Sequence, residues 1–118
     1  MEEGGGALAS RVCIVLVTVP DAEVGRGLAR EAVEEGLAAC GNVIPGLVSV
    51  YRWQGAIQED SEALVVFKST WDALPKLERL VTELHPYEVP EFLALPVTHG
   101  HLPYLRWVLG EVDETDRS

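Results

Sequence analysis

An α+β domain of the ferredoxin-like type, a split β-α-β-β-α-β antiparallel sheet with an extra C-terminal helix, is the fold that this 118-residue chain predicts. Three observations carry the prediction. Apolar runs of strand character alternate with stripes of period 3.6 in the order strand, helix, strand, strand, helix, strand. Two neighbouring strand runs are joined by Gln54-Gly55, a hairpin signal. The first strand run is apolar on both of its faces, so it belongs inside a sheet.

Residues 1–10 are polar and Gly-rich and read as a frayed tail. Residues 113–118 read as a second, polar one, leaving 11–112 as a single domain. Arg11 to Val19 is nearly continuous β-branched and aliphatic sequence, the first strand. Asp21 can cap a helix from Ala22, with Val24, Leu28, Ala32, Val33 and Leu37 on one stripe and Gly36 weakening its last turn. Ala39 to Ile44 is a strand, interrupted by Pro45-Gly46 as a turn or bulge, and continued from Leu47 to Trp53. Its hairpin partner runs from Ser61 to Ser69. Ser69 or Thr70 caps a helix through Leu84, striped by Leu74, Leu77, Leu80, Val81 and Leu84. Phe92 to Leu95 is a short last strand. Gly100-His101 and Pro103 open a helix from Pro103 to Leu109 that Gly110 ends, with His101 at the capping position.

Two helices cover only one side of such a sheet. In the first strand Cys13, Val15, Val17 and Val19 point one way and Val12, Ile14 and Leu16 the other. In the hairpin Ala63, Val65 and Phe67 oppose Leu64 and Val66. The uncovered side would expose more contiguous apolar surface than a soluble monomer carries, so the chain is expected to oligomerise.

Charge narrows the partners. With 19 acidic and 9 basic residues the net charge is −10, which argues against a nucleic-acid surface and against docking on anionic membranes. No apolar run approaches the roughly 18 residues of a membrane span. The N-terminus is acidic rather than basic and does not read as a secretory signal, so a cytoplasmic protein is expected. Cys13 and Cys40 read as buried thiols rather than a disulfide.

The chemistry concentrates in His85-Pro86-Tyr87-Glu88-Val89-Pro90-Glu91 and, just beyond, Leu95-Pro96-Val97-Thr98-His99-Gly100. Two prolines at 86 and 90 hold a stiff, non-helical crossing on which polar side chains can be displayed. His85 is a metal-ligand or acid–base candidate, or a loop histidine bonded to backbone. Glu62, Glu88 and Glu91, with Glu59 and Asp60, offer oxygen ligands for a hard cation, or are solvated charges. Lys68 could meet an anionic ligand or form an ion pair between subunits. Tyr51, Trp53 and Tyr87 could floor a cleft or pack in a core or interface. His99 and His101 are spaced for chelation if extended, whereas His101 is also placed to cap a helix. Nucleophile triads, zinc-spaced cysteines and phosphate-cradling glycine loops are absent from the sequence, so no enzyme is expected.

Val17-Thr18-Val19-Pro20-Asp21, Leu37 to Gly46, Ser49 to Gly55, Lys68-Ser69-Thr70, the 85–91 string and Pro96 to Gly100 together resemble the CutA divalent-cation tolerance family, in order over about residues 11–110. The resemblance implies a homotrimer of ferredoxin-like subunits and a role in copper and heavy-metal tolerance and response. It also implies a fold that resembles the nitrogen-regulatory PII proteins, and hence signal transduction. Enteric-type members carry a cysteine before Thr-x-Pro-Asp and a doubled histidine before Pro-Tyr as copper ligands. Here Val17 and Leu84 stand at two of those positions and only His85 matches. The expected activity is weak binding of a divalent ion such as copper at clefts between subunits, with His85 as metal ligand and Tyr51, Trp53, Glu62, Lys68, Tyr87, Glu88 and Glu91 as cleft lining. The alternative is a PII-like sensor of a small anionic metabolite using Lys68, and a less favoured one is a small-molecule enzyme.

Overall fold

The computed structural model describes residues 5–112. The elements are α1 (Gly5–Ala9), β1 (Val12–Val19), α2 (Ala22–Glu34), β2 (Cys40–Trp53), β3 (Ala56–Thr70), α3 (Leu74–Leu84), β4 (Leu93–Pro96) and α4 (Leu102–Glu111). The four strands form one antiparallel sheet in the order β2-β3-β1-β4. This is the expected α+β, ferredoxin-like arrangement with an additional C-terminal helix.

Local chemistry places most boundaries. Asp21 caps α2 by accepting from the Val24 N–H at 2.9 Å. The hairpin turns through Gln54 and Gly55, both at positive φ, the pairing that a two-residue hairpin loop demands. Pairing passes from Ile44–Leu64 to Leu47–Glu62, so β2 carries one extra residue at Pro45-Gly46, where Gly46 sits at φ +80°. The hairpin is longer than the alternation suggests: β3 starts at Ala56, not Ser61. Residues 56–62 of β3 pair with β2 alone, because β1 reaches only as far as Ala63. The arm therefore projects beyond the sheet and draws the molecule out to 55 × 29 × 22 Å.

The main core lies between the sheet and the α2–α3 layer. Cys13, Val15, Val17, Val19, Ala63, Val65 and Phe67 from the strands meet Leu28, Ala29 and Ala32 from α2 and Leu77 and Val81 from α3. A second cluster differs from expectation. The tail proposed for residues 1–10 contains α1, whose Leu8 and Ala9 are buried with Val12, Ala39 and Ala73 against Leu105, Val108 and Val112 around α4. Val12 is thereby covered, although its neighbours Ile14 and Leu16 on the same side are only half-buried. The expected tail at 113–118 lies outside the described residues. His101 occupies the capping position of α4 but its side chain makes no capping bond. Thr70 accepts from the Ala73 N–H, one turn ahead of α3.

The side of the sheet away from the helices remains apolar and open. Ile44, Leu93 and Leu95 are 44–56% exposed there, with Leu16, Leu64 and Val66 half-buried beside them. On the arm, Val48, Val50 and Ile57 are exposed as well.

Candidate functional site

The 85–91 crossing is fixed to the end of β1 by His85. Pro86 keeps the preceding residue out of helical geometry, and His85 is extended (φ −74°, ψ 135°) immediately after α3. The residue is 7% exposed. The Tyr87 N–H can only donate, so at 3.1 Å it makes His85 Nδ1 the acceptor. Nε2 must then carry the proton and donates to the Thr18 carbonyl at 2.7 Å. The Tyr87 ring packs on the imidazole with centroids 4.7 Å apart. Both nitrogens are occupied, which leaves no lone pair for a metal. As placed, the ring is a fastener, the loop histidine bonded to backbone, and the metal-ligand role expected of His85 would require one of these bonds to break.

Beside it opens a cleft of about 730 Å³ lined by Thr18, Ser49, Val50, Tyr51, Trp53, Glu62, Pro86, Tyr87, Glu88, Val89 and Glu91. β1 supplies its end, the arm one wall and the 85–91 crossing the other. The bulge matters here: from Leu47 onward, odd-numbered residues share the face of Glu62 and Asp60, which brings Ser49, Tyr51 and Trp53 to the cleft side. The Tyr87 hydroxyl donates to Glu62 Oε2 at 2.6 Å, and the Tyr51 hydroxyl donates to Asp60. Burial, then the bond to Glu62, pushes the Tyr87 phenol up. The bond to Asp60, then burial, does the same to Tyr51. Both rings thus stay neutral donors, held by carboxylates.

Burial, and secondarily the charge of Glu62, raises the Glu91 carboxyl above its ordinary 4.5. A folded-state value above the unfolded one favours folding at low pH and loses that contribution as pH rises through the folded value. Glu91→Gln is therefore expected to match or exceed the parent's thermal midpoint at pH 7. That advantage should vanish below about pH 4, where both states of the parent hold the proton. A variant less stable at pH 7 than the parent would contradict this account of Glu91.

Of the expected lining residues, Tyr51, Trp53, Glu62, Tyr87, Glu88 and Glu91 come together and Lys68 does not. Lys68 shares the open face with Glu62 but lies six residues along β3, roughly 20 Å away at 3.3 Å per residue. It donates instead to the Asn42 side chain, opposite Cys40. His99 and His101 are exposed and outside the cleft. Thr18 and Ser49 were not anticipated, although the two-residue period shared with Tyr51 and Trp53 could have pointed to Ser49. Among the described residues no three of His, Cys, Asp and Glu converge to hold a metal ion. The carboxylates can repel anions and attract cations, but one chain offers no closed coordination shell.

The comparisons place this geometry in a family. The model of the CutA1 divalent ion tolerance protein family matches residues 13–111. The divalent-cation tolerance protein CutA of Thermus thermophilus is 54% identical over 95 residues, covering 80% of this chain and 92% of that protein. The human protein CutA is 45% identical over 107 residues, 91% of this chain, which spans 60% of the human protein's length. The crystal structure of CutA1 from Oryza sativa superposes with a TM-score of 0.87 at 41% identity, covering 92% of this chain and 99% of that one. Matched across nearly all its described length in sequence and in fold, this chain belongs to the CutA1 divalent ion tolerance family.

Proposed function

We propose that the chain serves divalent-cation tolerance as a non-enzymatic, cytoplasmic homotrimer. A divalent ion such as copper is held weakly at clefts between subunits, and its occupancy signals metal load. The observation that carries the cation reading is the cleft itself: Glu62, Glu88 and Glu91 line it, and none of its lining residues is lysine, arginine or histidine. That charge opposes the PII-like alternative of an anionic metabolite, for which Lys68 is at the wrong end of β3. Since one chain brings no three ligands together, the ion would need donors from neighbouring copies. The open apolar face around Ile44, Leu93 and Leu95 supports that assembly, because burying it removes from water what the helices leave exposed. Two free thiols, Cys13 and Cys40, suit a reducing compartment.

Sedimentation at micromolar concentration, followed by calorimetric titration with Cu²⁺, tests the reading. Expected are a particle of three times 12.9 kDa and weak Cu²⁺ binding that Glu62→Gln weakens further. A well-folded single-copy particle, or a trimer indifferent to Cu²⁺, would overturn it.

A further inference from the structure

We infer that the cleft also takes a small organic ammonium cation, beside the divalent ion. The inference rests on the cation reading above and names the ligand class of that same site.

Size is the first argument. About 730 Å³ falls within the range of small-molecule sites and far exceeds the shell of a single ion. A hard divalent cation asks for six or more oxygens at bonding distance. One chain brings no such group together among its described residues, so an ion there would draw on neighbouring copies. An alkylammonium asks for less: a few carboxylate oxygens and apolar or aromatic surface for its carbons.

The walls meet that description. Tyr51, Trp53 and Tyr87 offer aromatic faces, whose quadrupoles attract cations. Two of the three rings are held in place by their hydroxyls, on Asp60 and Glu62. Val50 and Val89 add aliphatic surface. Glu62 is 9% exposed and bonds Tyr87 through Oε2, and its second oxygen has no donor among the described residues. That second oxygen is open to the cleft, because no buried side-chain oxygen among the described residues lacks a partner, and it can accept a charge-assisted bond from an ammonium group. Glu91, pushed up by burial and by Glu62, can accept one in the same way.

The test follows Trp53 fluorescence and heat as tetramethylammonium and putrescine are titrated in, with a neutral isostere, tert-butanol, and Mg²⁺ and Cu²⁺ in parallel. Expected is saturable binding of the ammonium ions that the neutral isostere does not reproduce. Trp53→Leu and Glu88→Gln should each weaken it by about fivefold or more. Both side chains are exposed, so folding is not at stake. Binding of the metal ions with none of the ammonium ions would overturn this inference and leave the cation reading intact. No binding of either kind would overturn both. Ammonium binding unchanged in both variants would place it elsewhere and overturn the inference.

Discussion

Truncating Phe67 to alanine is expected to lower the unfolding free energy by about 3–5 kcal/mol, seen as a lower denaturant midpoint at unchanged slope. Phe67 is the largest side chain with no exposure, and it sits on β3, which is paired on both sides. Its neighbours leave little room to collapse into the space it vacates. Gly41 faces it across the β2–β3 ladder, and a Cβ there would stand 3.4 Å from the Phe67 ring and 2.8 Å from the Ala29 Cβ of α2. The helix therefore already touches the strand backbone and cannot settle lower. A loss under about 1 kcal/mol would mean that the layer can repack, against this packing account.

Replacing His85 by alanine is expected to cost about 2–6 kcal/mol, since it strands the Thr18 carbonyl and the Tyr87 N–H, at about 1–3 kcal/mol each. The loss should be local as well as global. Faster hydrogen exchange at the Tyr87 amide is expected even under conditions where the core amides stay protected. An unchanged Tyr87 exchange rate and an unchanged midpoint would show that the imidazole fastens nothing. Loosening here reaches the cleft directly, because Tyr87 holds Glu62 through its hydroxyl.

Much of this was legible in the sequence, for reasons that differ from element to element. β1 and α2 announce themselves because burial on known faces imposes their periods, and Asp21 marks the helix start. The early part of β3 was hidden because Ile57 to Asp60 pairs in an arm wet on both faces, where no hydrophobic alternation is required. α1 was hidden because Leu8 and Ala9 find their partners in α4, about a hundred residues away. In the cleft, residue type and face were readable for Tyr51, Trp53, Glu62 and the 85–91 string. Residue type and face do not give distance along a strand, and Lys68 has the right face and the wrong end. For His85 the sequence left two readings open, and only the positions of Thr18 and Tyr87 choose between them.

The single additional residue at Pro45-Gly46 has a consequence for which sequence changes the arm could survive. Were it deleted, Leu47 would stand two positions after Ile44 and still oppose Glu62, so Ser49, Tyr51 and Trp53 would keep their face. What the deletion would remove is the local bend and added twist that the extra residue gives the arm.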